Sequence, residues 1–463
     1  MNSDEFGGWS LIFYLIGLFA LMSGVFPFWA TRFIARGKEG AVKTAVLSNL
    51  IVALATAAVY LLSVSEVLSL LHISSVAIAI FLVAALQIIN IHLVAVFEAC
   101  LRSVKPQATG YGLLVEEIVK VVLTLGIFVG TGQLFYGAIA GVVVGASAQI
   151  LFYAWILREH LRQRIHFGYL REWVKGSTVF VYNVVGVQMS GAVLYLLVHF
   201  GGESALGDYQ AAFTFAAVIG YAGSLAFALY PKMLAQDCPS DVVVSLKNTL
   251  MLALPMVAVA LTMSTSLLII LNVSYSTSSP VLVLLSVDAL IVIVSQFYTQ
   301  CLMGTERLDI GGKISFQELA KSKIFKIFSL PYLQAAIALP AVYIVLTQDT
   351  MSGPVKSALY VVGVNIGVHV ISFVAIYALM HREFSFAVPW KSVAKYVFAS
   401  FVAAVVLLVV PQTTTLVATF AKVFVGVGVY AALLLVIDID ARKLAEKIAE
   451  EIRIAFSSKR LST

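Results

Sequence analysis

The chain has 463 residues, of which 61% are hydrophobic and 12% are charged, with a formal net charge of +6 and a mean hydropathy of +0.98. Soluble domains carry roughly 25% charged residues, so this composition excludes a soluble enzyme, a nucleic-acid-binding domain and a disordered scaffold. The composition therefore indicates a membrane protein, most of whose surface faces lipid.

Apolar runs follow one another along almost the whole chain. A membrane helix needs about 20 mostly apolar residues, and about thirteen runs meet that length. They do not alternate in the short segments typical of β-barrel strands, so they predict an all-α polytopic membrane protein. The predicted spans lie near 9–31, 44–64, 75–100, 109–130, 134–157, 177–200, 209–231, 248–271, 280–303, 327–347, 357–380, 393–411 and 416–437.

Nearly all Lys and Arg residues fall into alternate loops between these spans. Arg32, Arg36, Arg102 and Lys105 belong to this set, whereas the opposite loops hold only Lys356 and Lys422. Cytoplasmic loops are enriched in basic residues. The pattern therefore predicts a plasma-membrane protein with its N-terminus outside and its C-terminus in the cytoplasm. The positive net charge is then a signal of orientation and gives no reason to expect a nucleic-acid partner.

The C-terminal tail predicts an amphipathic helix on the membrane surface. Leu444, Ile448, Ile452 and Phe456 recur every four residues with charged residues between them, which is typical of an interfacial helix. The preceding Asp438-Ile-Asp440 matches a short acidic motif of metal-dependent glycosyltransferases. A helix cap made by Asp440 is the favoured interpretation. The sequence contains no nucleotide-binding or metalloprotease motif, so we predict no cofactor, no metal and no enzymatic activity.

Four segments carry motifs of one known family. They are 271–282 (LNVSYSTSSPVL), 300–309 (QCLMGTERLD), 98–107 (EACLRSVKPQ) and 229–233 (LYPKM). The first resembles an outer loop and the second the cytoplasmic end of the helix that follows, in the polysaccharide flippases of the multidrug/oligosaccharidyl-lipid/polysaccharide (MOP) export superfamily. The third is similar at the matching place in the first half, and the fourth resembles a helix end of that family. The resemblance covers nearly the whole chain.

The resemblance implies two pseudo-symmetric lobes that work by alternating access. Such proteins have twelve or fourteen helices with both ends in the cytoplasm. The first span here, which ends on Trp29 to Arg36, looks like the family's second helix. The family's first helix is therefore expected to be absent from this sequence, either because the true start lies upstream or because the helix has been lost. The expected parts are an N-lobe of five spans at 1–165, a C-lobe of six spans at 170–385, and an extra helix pair with the tail at 390–463.

Three ionisable residues lie within one predicted span. Lys120 is near mid-bilayer, and Glu116 is one turn away on the same face, so we predict a Glu116–Lys120 pair with Glu117 pointing elsewhere. Charges inside spans are costly and usually face a cavity or a partner. Lys120 would contact a lipid phosphate or pyrophosphate, with either glutamate as counter-charge or proton carrier. The alternative is a static ion pair that fixes helix packing.

Asp288 lies about eight residues into another span, with no basic residue nearby in the sequence. One interpretation is a proton or cation site that couples transport to an ion gradient. The other is a protonated carboxyl, or one bonded to Gln296, to Tyr298 or to another helix, because burial favours the neutral form.

Further polar and basic residues complete the candidate site. Polar side chains in spans either contact substrate or join helices, and basic residues at inner ends either snorkel to headgroups or guard a cytoplasmic cavity against loss of phosphate. Gly137, Gly141 and Gly145 predict close helix packing. The candidate cavity residues are His92, Asn183, Gln188, Asn365 and His369, and the candidate cytoplasmic gate consists of Arg32, Arg36, Arg102 and Lys105.

The favoured function is a flippase that moves a polyprenyl- or dolichyl-linked oligosaccharide from the inner to the outer leaflet. Its partners would be this lipid-linked substrate, membrane lipids and glycan-assembly enzymes. One alternative is a cation-coupled multidrug or small-molecule exporter of the same superfamily. Another is an integral-membrane enzyme acting on lipid-linked sugars, which the short and almost uncharged outer loops disfavour.

Overall fold

The computed structural model describes residues 13, 16–70, 78–226, 229–235, 239–306, 321–348, 353–383, 388–446 and 450. Every regular element in these ranges is a helix. The prediction of an all-α polytopic membrane protein is confirmed. The principal helices are α1 (Val25–Ala35), α2 (Ala41–Leu70), α3 (Ile78–Val104), α4 (Gln107–Thr131), α5 (Leu134–Ile156), α6 (Phe167–Gly191), α7 (Val193–Gly220), α8 (Pro239–Leu271), α9 (Ser279–Gly304), α10 (Lys323–Gln348), α11 (Pro354–Glu383), α12 (Trp390–Val409) and α13 (Leu416–Ile437).

Eleven helical stretches of the described chain are long and apolar enough to cross a membrane. One of them, Phe167–Leu234, contains two predicted spans, and α4 is not among the eleven because Glu116, Glu117 and Lys120 raise its charge. The break between those two spans lies at Gly202, whose φ of 78° and ψ of 175° interrupt α7. Glycine adopts this backbone at little steric cost, and the position falls in the predicted gap between 200 and 209.

The first of two compact units comprises 1–186, 230–237 and 303–329. Its clearest packing feature is the contact of α4 with α5. A Cβ at Gly141 would lie 2.7 Å from the Lys120 carbonyl oxygen, and one at Gly145 would lie 2.8 Å from that of Glu116. The predicted close packing of the glycine strip is confirmed, because only hydrogen atoms fit between these two backbones.

The second unit comprises 187–229, 238–302 and 330–463. Its main hydrophobic core joins α7, α9, α10 and α11, and includes Leu197, Leu282, Val342 and Val361. The helices α12 and α13 pack on α8, where the Tyr430 hydroxyl donates a 2.6 Å hydrogen bond to the Met251 carbonyl. The predicted lobes at 1–165, 170–385 and 390–463 stay a prediction.

The α12–α13 hairpin is closed by a buried lysine. Lys422 donates from Nζ to the carbonyl oxygens of Val410 at 2.8 Å and Pro411 at 3.3 Å. These carbonyls follow the end of α12, where an unpaired oxygen favours a positive charge. The basic residue that the sequence assigned to the outer side therefore holds two helices together.

The segment after α13 is capped by a different residue from the one predicted. Asp438 accepts the backbone N–H of Ala441 at 3.0 Å, whereas Asp440 accepts a 2.7 Å hydrogen bond from Lys247. Residues 439–446 are helical. The prediction of a cap at Asp440 is wrong, because the residue preceding the first turn is the one whose carboxylate reaches the free N–H groups. Ile448, Ile452 and Phe456 lie outside the described residues.

Candidate functional site

The second unit holds a carboxylate–imidazole pair inside its helices. Asp288 lies nine residues into α9 and His369 fifteen residues into α11, which is about 14 Å and about 22 Å from the helix starts at 1.5 Å per residue. Nδ1 of His369 lies 2.7 Å from Oδ1 of Asp288. Both groups are therefore near the middle of a hydrophobic layer about 30 Å thick.

Apolar packing surrounds this pair. Tyr209, Leu285 and Val368 belong to the main core of the unit, and only 11% of the Asp288 side chain is exposed. One further polar contact lies a turn beyond His369, where Gln334 donates a 3.0 Å hydrogen bond to the hydroxyl of Ser372. In such surroundings the imidazole and the carboxylate are each other's hydrogen-bonding partner.

From the sequence, Asp288 and His369 are predicted as separate features, one for ion coupling and one for the cavity. The sequence left the partner of Asp288 open between Gln296, Tyr298 and another helix, and the structure identifies that partner as His369 on α11. Asn365, a turn before His369, is half-buried. No sequence signal joins positions 81 residues apart without knowledge of helix packing, so the pair becomes visible only in the fold.

The charged cluster of the first unit differs from its prediction. Lys120 forms its hydrogen bond and ion pair with Glu117, and the prediction that Glu117 points elsewhere is wrong. Residues three apart also share a helix face, and α5 lies directly against the backbone of Glu116. The side chains of Lys120 and Glu117 are 28% and 53% exposed.

The polar patch of α3 is interior packing in this structure. His92 is fully buried, with Nδ1 2.9 Å from the Ile88 carbonyl oxygen. The Asn90 amide donates to the Val143 carbonyl at 2.9 Å and to the Ser147 hydroxyl at 3.1 Å. These contacts join α3 to α5, and a cavity role for His92 stays a prediction.

Two of the four basic gate candidates converge on the end of α9. Arg32 is fully buried and donates to the Tyr230 hydroxyl at 3.2 Å and to the carbonyl oxygens of Met303 at 3.2 Å and Glu306 at 2.8 Å. Arg36 donates to the same Glu306 oxygen at 3.2 Å. A guanidinium satisfies unpaired carbonyls at a helix C-terminus and the partial negative charge there. A phosphate contact by Arg32 would require breaking these bonds.

The remaining candidates have other surroundings. Arg102 pairs with Glu98 of its own helix at 3.3 Å, and Lys105 is exposed. On α6, Asn183 is half-buried and Gln188 is exposed. Their assignment to a substrate cavity or a gate stays a prediction.

No protein-family model and no curated protein matches this sequence. Solved structures do match over most of its length. A MATE structure in the bent conformation has a TM-score of 0.61 and 14% identity, covering 82% of this chain and 87% of its own. A MATE structure in the straight conformation has a TM-score of 0.59 and 15% identity, covering 82% of this chain and 89% of its own. A MOP superfamily transporter from Pyrococcus furiosus has a TM-score of 0.56 and 15% identity, covering 81% of this chain and 87% of its own.

These likenesses establish the fold. The chain shares the all-α fold of these transporter structures. Identities of 14–15% carry no information on substrate. The polysaccharide-flippase subfamily therefore stays a prediction.

Proposed function

We propose that this chain is a membrane flippase that moves a polyprenyl-linked oligosaccharide from the inner to the outer leaflet by alternating access. The observation that supports it is the partly exposed Lys120–Glu117 pair on α4, a predicted membrane span. Such a substrate joins its sugar to its lipid through phosphate, and the Lys120 ammonium offers that phosphate a counter-charge. Covalent chemistry is not part of the proposal.

The energetic cost of placing charges in a membrane helix favours this function over a purely structural ion pair. A charged residue at the centre of a membrane helix costs about 2.5–3.5 kcal/mol. A partly exposed ion pair returns only about 0–1 kcal/mol of stability. Helix packing at this point already comes from Gly141 and Gly145, which meet the α4 backbone without using either charge. Helix packing therefore gives no reason for these two charges to be in the span, whereas phosphate binding does.

The position of Lys120 also suits a binding role. Its Cβ is 3.3 Å from where a Cβ on Gly145 would be, so the base of the side chain is fixed while the ammonium reaches outward to Glu117. An incoming phosphate can replace one carboxylate as the partner of Lys120 at little electrostatic cost, because one anion is exchanged for another. Glu117 then becomes available to hold a proton.

A reconstituted transport assay tests this function. The full chain is placed in vesicles with a fluorescent polyprenyl-linked oligosaccharide, and accessibility of the sugar to an external enzyme measures its movement. We expect Lys120→Gln to slow translocation at least tenfold, while Lys120→Arg keeps part of it. Lys443→Gln, which removes an exposed lysine outside the spans, is the control. Equal rates for Lys120→Gln and wild type would remove Lys120 from the mechanism.

A second candidate function is favoured by the Asp288–His369 pair. A carboxylate and an imidazole in contact inside the helices are the kind of groups that a cation-coupled exporter of small amphiphilic molecules needs. Efflux of a fluorescent organic cation from vesicles, driven by an imposed pH or sodium gradient, distinguishes it from the flippase. If wild-type protein drives no such efflux while it flips the lipid-linked sugar, this second function is rejected.

A further inference from the structure

The second unit contains an apolar cavity whose lining does not include Asp288 or His369. Its volume is about 330 Å³, which is at the lower end of the roughly 300–1,000 Å³ seen for small-molecule pockets. Four helices and the segment before α12 contribute to it. The lining consists of Leu246, Leu250, Val294, Tyr298, Phe373, Tyr377, Val388, Trp390 and Val393.

Aromatic rings build one wall of this cavity. The centroid of Tyr298 is 5.6 Å from that of Tyr377 and 6.0 Å from that of Phe373, and Phe373 is 6.0 Å from Tyr377. Rings at these separations attract one another, so the wall is preformed. Such a surface favours a flexible hydrocarbon chain and offers few polar partners to a sugar.

Exposed basic residues adjoin the wall at the helix ends. His381 stacks on the ring of Tyr377, with centroids 5.8 Å apart, and Arg382 follows it in the chain. Lys391 comes directly after the lining residue Trp390. All three are exposed, and the basic-residue pattern predicts that this end of the helices faces the cytoplasm.

Two nearby lysines are already neutralised. Lys247, next to the lining residue Leu246, pairs with Asp440 at 2.7 Å, and Lys395 pairs with Asp438 at 3.1 Å. The hydrogen bond from Lys247 lowers the pKa of the Asp440 carboxyl, which keeps that carboxyl ionised. Arg382 and Lys391 are two described basic residues at this end of the helices whose side chains are exposed, so they can attract an anion.

We propose that this cavity binds an acyl chain of an anionic membrane phospholipid, whose phosphate is held by Arg382 and Lys391. The chain occupies the apolar lining and contacts the ring of Trp390, while the headgroup stays at the membrane surface. The bound phospholipid is a resident ligand of the second unit and is distinct from transported cargo. Juxtamembrane basic residues attract anionic lipids, so two of them select against a zwitterionic headgroup.

Lipid titration of the full-length detergent-purified protein, followed by native mass spectrometry, tests the proposal. We expect wild type to bind phosphatidylglycerol about tenfold more tightly than phosphatidylcholine. The double variant Arg382→Gln/Lys391→Gln is expected to lose that preference and to keep its affinity for phosphatidylcholine. The charge-matched control is Lys356→Gln/Lys443→Gln, which likewise removes two exposed positive charges and is expected to keep the preference for phosphatidylglycerol.

A second pair of variants tests the cavity itself. Val393→Trp fills the cavity and is expected to weaken the binding of both lipids at least tenfold. Val405→Trp lies at an exposed position of the same helix and is expected to leave both affinities unchanged. Thermal unfolding of each variant confirms that it is folded. Equal binding of the two lipids by wild type, or equal effects of the two tryptophans, would overturn the proposal. Preferential binding of polyprenyl phosphate over phosphatidylglycerol would also overturn it, because the cavity would then belong to the cargo.

Discussion

Nδ1 of His369 lies 2.7 Å from Oδ1 of Asp288, although 81 positions separate the two residues in the chain. The contact joins α9 to α11 in the interior of the second unit. The carboxylate predicted for ion coupling and the histidine predicted for the cavity are therefore in direct contact.

A double-mutant cycle on this pair is the first prediction. If one shared proton couples transport to a pH gradient, Asp288→Asn and His369→Gln each abolish the gradient dependence, and the double variant is no worse than either. Gradient-driven transport in vesicles measures this. Asp208→Asn is the control, because Asp208 is a carboxylate of the same unit that bonds to Ser278 at 2.6 Å. Additive effects of the two single variants would show that they act separately.

The α4–α5 contact gives the second prediction. A Cβ at Gly141 would lie 2.3 Å from the Thr124 hydroxyl oxygen and 2.7 Å from the Lys120 carbonyl oxygen. Gly141→Ala therefore overpacks the interface and should cost about 1–3 kcal/mol of stability. Gly126→Ala on α4 meets nothing within 4 Å and should be neutral or stabilising by up to about 1 kcal/mol. Thermal unfolding in detergent compares them, and equal melting temperatures would contradict the close contact.

The third prediction concerns the buried lysine of the α12–α13 hairpin. Lys422→Met keeps the length of the side chain but leaves the carbonyls of Val410 and Pro411 without their donor. Removing hydrogen bonds to a charged group should cost about 1.5–3 kcal/mol. Unfolding of purified variants measures the loss, with Lys443→Met at an exposed position as the control. A Lys422 variant as stable as that control would show that the hairpin does not need the ammonium group.

Arg32 supplies the fourth prediction. Its guanidinium serves the Tyr230 hydroxyl and two carbonyls at once, which a lysine ammonium cannot do in the same planar geometry. We expect Arg32→Lys to destabilise the folded protein by about 2 kcal/mol even without any substrate. Arg171→Lys, at an exposed position of α6, should change nothing. If Arg32→Lys alters transport and leaves the unfolding temperature intact, the predicted phosphate role gains support over the structural one.

Several features could be predicted because they depend on local chemistry alone. The span positions follow from runs of apolar residues, and the glycine strip of α5 predicts a close contact from residue size. The partner of Lys120 was predicted wrongly because Glu116 and Glu117 are both within reach along one helix. Which of them pairs depends on the neighbouring helix that packs against Glu116. The cap at Asp438 was missed for a similar reason, since Lys247 of α8 engages Asp440.

By itself, the sequence determined that this is an all-α polytopic membrane protein, because hydrophobicity, charge bias and glycine spacing act over a few turns of one helix. Only the tertiary structure decided which buried polar groups meet. Asp288 finds His369, Arg32 binds the end of α9, and Lys422 closes a hairpin. A polar group inside a membrane protein must find a partner, and that partner is chosen by how helices distant in sequence pack together.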